Sequence, residues 1–406
     1  MTFPLRPTRA VVDLDALASN YRALGTGLPE GCTVLPVVKA DAYGHGAVHV
    51  SRRLAKEGAT TLAVAVVEEG LELRRAGITQ RILVMGWIGK DQIGALVEGG
   101  LTPNVHSIEQ AEELKNFLEG EEGRGVSLAV HLKLDTGMTR LGLRPEELPR
   151  ALDLLERLKS RVVVEGVFQN FATAYDVNSE QNEDQARIFL EGVKTIRAAG
   201  HRPSMVHTDN SGATLARTGR TAPSPSSPSK KSLSSVVTHV RPGLALYARV
   251  PEVPSVAGET LQDIMSLVSV VDQVKTVPAG TKVGYAGTFV CGRTTTLAIV
   301  PAGYADGIRR HLAGRGQVLI GGRRCPIAGR ISMDLTEVDV TDLPSPPVRG
   351  DEAVFFGAQG AERIGVGEVA DAADTVAWEI LCGIGPRVPR VAVEGGREVA
   401  RVTRFP

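Results

Sequence analysis

The chain has 406 residues, of which 43% are hydrophobic, so it is long and apolar enough for two domains or one large one. Lysine plus arginine and aspartate plus glutamate both total 46, which makes the formal net charge zero. This balance excludes a general electrostatic attraction to nucleic acid or to an anionic membrane, and it favours a small molecule as the partner.

The first residues and the cysteines indicate the compartment. The start of the chain has no apolar segment of signal-peptide length, and no later stretch approaches about eighteen uninterrupted apolar residues. We therefore expect a cytoplasmic protein without a membrane span. The cysteines are widely spaced and form no CxxC pair, so the sequence predicts neither a disulfide framework nor a metal site.

From residue 33 to about 243, short β-rich runs alternate with amphipathic segments of helical period that end at glycine. Eight such alternations predict an α/β fold, a (β/α)8 TIM barrel, whose active site lies at the C-terminal ends of the strands. The eight runs are TVLPVVK, TLAVAVV, RILVMG, LTPNVHS, VSLAVHLKL, VVVEGVF, SMVHT and HVRPG.

Residues 218–235, TGRTAPSPSSPSKKSLSS, interrupt this alternation with a segment rich in serine, proline and lysine. Such a composition cannot bury enough apolar surface to fold by itself, so we expect a mobile excursion from the barrel. A plain solvated insertion and a functional lid are both open interpretations.

After about residue 250 the helical patterns thin out, and runs such as LVSVVDQVKTV and EAVFFGA indicate strands joined by glycine and proline turns. A helical stretch reappears only near 366–382. We therefore expect a barrel at 1–250 and a C-terminal, mostly β domain at 251–406.

The stretch VVKADAYGHG, residues 37–46, places Lys39 where the first barrel strand would end. A lysine there can be partly desolvated, which lowers its pKa enough for it to act as a nucleophilic amine in Schiff-base chemistry. An ordinary surface ammonium that caps a loop explains the position equally well.

This stretch resembles the signature of alanine racemases, fold-type III enzymes that carry pyridoxal 5'-phosphate (PLP) on this lysine. The similarity covers essentially the whole chain, in the family's order, through AVVDLDALASNYRAL, VVEEGLELRRAGI, HLKLDTGMTRLGL, VRPGLALY, VGYAGTFV, GYADGIRR, GRISMDLTEVDVTD and RVPRV. The resemblance implies that Lys39 holds the cofactor and then serves as one acid/base. It implies an enzyme that interconverts L-alanine and D-alanine for peptidoglycan synthesis.

Racemisation removes a proton from one face of the substrate Cα and returns it on the other, so it needs two bases. In the family, the second base is a tyrosine of the partner subunit, and Tyr285 in VGYAGTFV matches it. The β-domain positions Met333 and Tyr304 match residues that reach across to the substrate carboxylate and the site entrance of the other subunit. The resemblance therefore implies a head-to-tail homodimer.

The resemblance also implies the cofactor contacts. Arg241 matches the arginine that meets the pyridine nitrogen; a guanidinium only donates, so that nitrogen stays unprotonated and the ring is a weaker electron sink. Lys133 matches a lysine that is carbamylated in many members and orients Arg140, which contacts the cofactor and the substrate carboxylate. Without a carbamate, Asp135 is the other candidate for the negative partner that these two cations need. The phosphate contacts are Tyr43, Asn210, Ser211 and the amides of Gly243 and Leu244.

Two positions depart from the family pattern. Asn170 stands where members carry a histidine that bridges the pyridine-side arginine and the catalytic tyrosine; an amide cannot titrate near neutral pH, so we expect a lower rate or a shifted pH optimum. Trp378 stands where a tyrosine is usual, which replaces a hydroxyl by an N–H donor at a phosphate or gate contact.

Three other functions stay open. A racemase of other or broad specificity, for example for serine, would differ at only a few pocket residues. A non-catalytic PLP-binding protein would need no second base, so the presence of both Lys39 and Tyr285 in the sequence argues against it. A decarboxylase on this architecture would be expected to carry an acidic residue where Arg241 stands.

Overall fold

The computed structural model describes residues 6–176, 178–218, 233–249 and 261–403. Most of the predicted insertion, 219–232, and the predicted domain boundary at residue 250 lie outside the described residues. Helices occupy Leu14–Gly25, Ala47–Lys56, Val67–Arg75, Ile93–Glu98, Ile108–Glu119, Leu148–Glu156, Glu180–Ala198, Ser211–Arg217, Leu244–Tyr247, Val366–Ala372 and Ala377–Cys382.

The first strand, β1 (Arg9–Asp13), precedes a barrel of eight parallel strands. Each neighbouring pair is parallel, and the bridge between Val37 and Ala63 closes the cylinder from the end of β2 to β3. The barrel strands are β2 (Thr33–Val34), β3 (Thr61–Val64), β4 (Arg81–Val84), β5 (Thr102–Val105), β6 (Leu128–Lys133), β7 (Val162–Phe168), β8 (Met205–His207) and β9 (His239–Val240). The predicted fold class is confirmed.

The barrel strands are apolar along most of their length because both of their faces are covered. All four residues of β3 are buried, and so are five of the six in β6. The surrounding helices bury a single stripe: in Ala47–Lys56 the buried positions are 47, 50, 51 and 54, the spacing of one helical face. This packing fixes the strand ends at one rim of the barrel.

The C-terminal part is built mainly on an eight-stranded sheet in the order β16-β15-β18-β10-β1-β20-β21, with β19 beside β18. A three-stranded sheet, β11-β14-β17, and a hairpin, β12-β13, complete it. The strands are β10 (Met265–Val270), β11 (Gln273–Val277), β12 (Lys282–Val283), β13 (Phe289–Val290), β14 (Thr295–Val300), β15 (Gln317–Ile320), β16 (Arg323–Pro326), β17 (Thr336–Asp339), β18 (Glu352–Gln359), β19 (Glu362–Ile364), β20 (Arg390–Glu394) and β21 (Arg397–Val402).

Strand β1 lies in this C-terminal sheet, antiparallel to β10 and parallel to β20. The expectation that residues 1–250 all serve the barrel is therefore corrected at its beginning: residues 9–13 belong to the other sheet. The division at residue 250 stays a prediction, because 250–260 are not described.

The helical stretch predicted near 366–382 is two helices separated by a turn at 373–376. The second one, Ala377–Cys382, packs on the rim of the barrel: a Cβ at Gly44 would overlap with the carbonyl oxygen of Leu381. Arg390 strengthens this junction, since its Nε donates to the Gly44 carbonyl at 3.0 Å. The junction brings Trp378 to the barrel mouth.

Among the described helices, none combines the length and the apolar character that crossing a membrane requires.

Candidate active site

A cavity of about 330 Å³ opens at the C-terminal ends of the barrel strands. It is lined by charged, amide, hydroxyl and aromatic side chains contributed by many different strand ends, which is how active sites of this fold are built. The lining residues are Val37, Lys39, Tyr43, Ala65, Met85, Gly86, Lys133, Arg140, Leu141, Phe168, Asn170, Tyr175, Asn210, Ser211, Arg241, Gly243, Leu244 and Trp378. Ten of the thirteen residues predicted from the sequence are therefore together.

Lys39 directly follows the last strand pairing, in which the amide of Val38 donates to the Ala63 carbonyl at 2.8 Å. The next four residues, 40–43, all have φ between 52° and 55°, a left-handed turn that costs roughly 1–2 kcal/mol per non-glycine residue. The carboxylate of Glu69 offsets part of that cost, since it accepts from the amides of Ala40 at 2.6 Å and Ala65 at 2.7 Å. This turn carries the chain away, so that the Lys39 side chain reaches the cavity.

The amino group of Lys39 shares the cavity with other cations. Burial lowers the pKa of Lys39 below its ordinary value, and the nearby Arg140 lowers it further. Lys39 therefore has a larger neutral fraction near neutral pH than a surface lysine has, as a nucleophile or base requires.

Arg241 lies in the floor of the cavity and is almost completely buried. Its guanidinium donates to Nδ1 of His207 at 2.8 Å and to the Gln169 carbonyl at 2.6 Å, and it lies over the Phe168 ring. Burial lowers the pKa of Arg241 to about 10, so it stays charged at neutral pH. Arg241 is also one of the residues that line the cavity.

Beneath Arg241 lies a pair of buried histidines that the sequence analysis missed. Because Arg241 can only donate, Nδ1 of His207 must accept, and the proton of the neutral ring lies on Nε2. That atom donates to Nδ1 of His131 at 2.8 Å, and Nε2 of His131 lies 3.7 Å from Glu165. Gly166 makes room for the pair, because a Cβ there would overlap with the His131 ring. Burial lowers the pKa of both histidines, so the two neutral rings orient Arg241 without adding a positive charge.

Lys133 ends β6 in the cavity wall. Burial lowers its pKa to about 8, with further lowering by Arg140 and Arg241 and an opposing effect of Asp135. The Asp135 carboxylate, however, accepts from the amides of Gly137 and Thr139 at 3.0 Å each and so stabilises the turn that follows. Among the described residues Lys133 forms no ion pair.

The opposite end of the cavity gathers hydroxyls and amides. Ser211 Oγ accepts from the amides of Gly243 at 3.0 Å and Ala245 at 3.2 Å, and Asn210 caps the helix Ser211–Arg217 through the amide of Ala213. A Cβ at Gly243 would overlap with the hydroxyl of Tyr43, so only glycine leaves space there.

Tyr43 itself stays a neutral donor, because burial raises its pKa. A lysine amine, a guanidinium beside an aromatic floor, and a hydroxyl-rich end together fit a flat, phosphorylated aldehyde cofactor such as PLP.

Asn170 borders the cavity. Its Nδ2 donates to the Phe171 carbonyl at 3.2 Å and lies 3.1 Å from Sδ of Met138. Arg241 is instead met by the carbonyl of Gln169, the residue before it. The Asn170 side-chain contacts in the described structure therefore do not include Arg241.

Tyr285, Tyr304 and Met333 do not line this cavity. They lie in the C-terminal part with exposed fractions of 71%, 43% and 51%. They belong to neighbouring segments, since the Tyr304 amide donates to the Ser332 carbonyl at 3.0 Å and Gly284 packs against the backbone of Arg330. Three large exposed side chains thus share one region of this protomer.

Tyr175 is a lining residue that the sequence analysis did not select. Its ring meets the Trp378 ring edge to face, with centroids 6.2 Å apart. The signal was present, because the segment QNFATAYD contains this tyrosine close to Asn170, but nothing in the local pattern indicates that it turns toward the cavity.

Comparison with known proteins gives one consistent result. Residues 12–251 match the family model "Alanine racemase, N-terminal domain", and residues 264–392 match "Alanine racemase, C-terminal domain". The alanine racemase of Symbiobacterium thermophilum is 40% identical over 390 residues, covering 95% of this chain and 97% of the relative. Alanine racemase 2 of Caldanaerobacter subterraneus is 34% identical over 393 residues, covering 97% and 96%.

Solved structures of alanine racemases are also similar to this chain. The Bacillus anthracis alanine racemase with bound L-Ala-P superposes with a TM-score of 0.87 at 33% identity, covering 99% of both chains. The Bartonella henselae alanine racemase with covalently bound pyridoxal phosphate gives a TM-score of 0.80 at 27% identity, covering 95% of this chain and 99% of that one.

Proposed function

The chain belongs to the alanine racemase family, and we propose that it interconverts L-alanine and D-alanine with PLP bound at Lys39. The observation that carries the proposal is the position of the Lys39 amine, in one cavity with Arg241 on one side and Ser211 and Tyr43 on another. The PLP and L-Ala-P bound to the relatives from Bartonella henselae and Bacillus anthracis support it.

PLP would be held by residues that the cavity brings together. Ser211, Tyr43, Asn210 and the Gly243 and Leu244 amides would take the phosphate, and Arg241 would meet the pyridine nitrogen. When bound, the cofactor supplies an electron-withdrawing system that acidifies the Cα proton of an attached amino acid.

Lys39 acts in this proposal as one of two bases. Its lowered pKa gives it a neutral fraction that can accept a proton at Nζ, and the protonated amine can return one. Arg140, on the same side, would hold the substrate carboxylate and keep the amine from retaining its proton. In this way Arg140 would favour a substrate that carries a carboxylate, and it lowers the pKa of Lys39.

Arg241 controls which reaction follows. It stays charged at neutral pH, it has no lone pair to offer, and the neutral His207 holds it in place. Arg241, which can only donate, would leave a pyridine nitrogen that it meets unprotonated. Racemisation is thereby favoured over transamination and decarboxylation.

Tyr285, the expected second base, does not line the cavity of its own protomer. We infer a two-fold homodimer in which the partner subunit's Tyr285 faces Lys39. The exposure of Tyr285, Tyr304 and Met333 supports this inference, since a partner's cavity would cover them.

Lys133 is a candidate for carbamylation. The reaction with carbon dioxide needs a neutral amine, and a pKa of about 8 provides one near neutral pH. The carbamate would give Arg140 the anionic partner that Asp135, engaged in its turn, does not provide.

We propose that the racemase acts in the cytoplasm and supplies D-alanine for peptidoglycan.

The test is Cα-proton exchange in deuterated water, with purified protein, PLP and single L-amino acids, followed by chiral analysis of the products. D-alanine that carries deuterium at Cα is the expected result. Faster inversion of another amino acid, such as serine, would reassign the substrate. Exchange without inversion would leave Lys39 working without a second base, and a bound cofactor with no exchange of any amino acid would contradict an enzymatic role.

A further inference from the structure

Tyr175 lies in the cavity wall at the end where Ser211 and Tyr43 also lie. It belongs to the segment between β7 and the helix Glu180–Ala198, so it reaches the cavity from a different element than either of those residues. No function has been given to it so far.

The Tyr175 ring is held on two sides. Its edge-to-face contact with Trp378, at an interplanar angle of 76°, fixes one side. On another side the ring lies against Gly212, where an added Cβ would come within 3.0 Å of Cδ1 of Tyr175. Gly212 directly follows Ser211, so this contact keeps the tyrosine beside the Ser211 hydroxyl.

The phenol of Tyr175 contributes to a polar end of the cavity. Tyr43 lines the same cavity, and Tyr175 is among the causes, after burial and Cys382, that raise the pKa of Tyr43. Ser211 Oγ already accepts from two amides, and Trp378 offers only one N–H. Tyr175 brings a second phenol hydroxyl to this end of the cavity, in addition to the donors named for the phosphate.

We propose that Tyr175 donates a hydrogen bond to the cofactor phosphate and makes the site selective for PLP over unphosphorylated pyridoxal. The proposal rests on the proposed function and deepens it. Hydrogen bonds to an ionised acceptor are about twice as strong as neutral ones, so one such donor has a measurable effect on affinity.

The test is titration of the full chain, freed of cofactor, with PLP and separately with pyridoxal, in the wild type and in Tyr175→Phe. Phenylalanine keeps the ring contacts with Trp378 and Gly212 and removes only the hydroxyl. We expect the dissociation constant of PLP to rise about tenfold and that of pyridoxal to stay the same, the effect of one charge-assisted hydrogen bond. Tyr21→Phe, which removes a hydroxyl from the helix Leu14–Gly25 outside the cavity, is the matched control.

Two results would overturn the proposal: unchanged affinity for both compounds in Tyr175→Phe, or an equal loss for both, which would indicate that the residue only supports the cavity wall. The wild-type samples test the proposed function independently. If the wild type binds PLP and racemises alanine while Tyr175→Phe behaves like Tyr21→Phe, only the role of Tyr175 falls. If the wild type binds no PLP, the proposed function falls with it.

Discussion

Arg241 donates to Nδ1 of His207 at 2.8 Å, and both side chains are buried below the cavity. Burial and the neighbouring Arg241 hold the pKa of His207 well below its ordinary value. The imidazole could gain a proton at Nδ1 only by giving up the hydrogen bond from Arg241. The hydrogen bond that positions the Arg241 guanidinium therefore also keeps His207 neutral.

Replacing His207 by phenylalanine tests this contact. His207→Phe keeps an aromatic ring but leaves a guanidinium N–H buried without an acceptor, which costs about 1–3 kcal/mol. We expect the free energy of unfolding, measured by urea denaturation, to fall by that amount. His311→Phe, at an exposed position, should have little effect. Equal stability of the two variants would show that the His207 acceptor is unimportant.

Three further histidines predict how stability depends on pH. Burial lowers the pKa of His45, His106 and His239 to about 4, whereas an unfolded chain would have histidines near 6.5. Above pH 6.5 both states are neutral at these positions, and below it only the unfolded state takes up protons. The free energy of unfolding should therefore decrease between pH 6.5 and 4, by on the order of 1 kcal/mol per pH unit for each histidine. A flat profile in urea denaturation across this range would contradict the burial of these rings.

Gly243→Ala tests the hydroxyl-rich end of the cavity. The added methyl group would overlap with Tyr43 Oη, so Tyr43 must move, and we expect PLP to bind at least about tenfold more weakly, an energy of roughly 1.4 kcal/mol. Adding Tyr43→Phe removes the nearest clashing atom and leaves only the milder overlap with Cζ at 2.8 Å, so it should restore part of the affinity. Gly25→Ala has open space around its Cβ and serves as the control in the same spectroscopic titration.

Tyr285→Phe tests the second base. Because Tyr285 is 71% exposed in the protomer, the substitution should leave the fold unchanged. Racemisation should fall by at least about a hundredfold, the usual scale of a lost general acid or base, while Lys39 still exchanges the Cα proton of one enantiomer. Following deuterium uptake and inversion separately distinguishes the two steps. Loss of exchange from both enantiomers would assign Tyr285 to binding instead.

Asn170→His tests the departure from the family pattern. The wild-type amide cannot titrate, whereas a histidine at this half-buried position introduces a group that does so near pH 6–7. We expect the plot of log kcat against pH to gain an ionisation in that range. An unchanged profile would indicate that the side chain at 170, which contacts Met138 and Phe171, is not coupled to proton transfer.

Local patterns predicted the barrel and the side of it on which the chemistry lies. Each strand run is short, apolar and followed by an amphipathic segment, so eight repetitions constrain the fold, and strand ends such as Lys39 and Arg241 must then meet at one rim. The strand-end residues lie together at this rim because the barrel topology is regular.

The rest depends on contacts that leave no local signal. The partner of β1 at β10 is more than 250 residues away in the chain, and the segment RAVVD is typical of any strand. The left-handed turn at 40–43 is formed by residues that are ordinary in right-handed helices, and it needs Glu69 from another element. The pairing of His131 with His207 and the direction of Tyr175 likewise depend on packing between distant segments.

The position of β1 also constrains how the protein can be made. β1 is an interior strand, with β10 on one side and β20 on the other, so it finds its second partner only after residues 390–394 have been synthesised. Contacts so distant in sequence form late and slowly. During synthesis the barrel can acquire its own core, but one edge of β1 stays unpaired until residues 390–394 have been made. Shortened chains that stop before β20 would leave β1 exposed on one side, which makes them candidates for aggregation rather than a free-standing barrel.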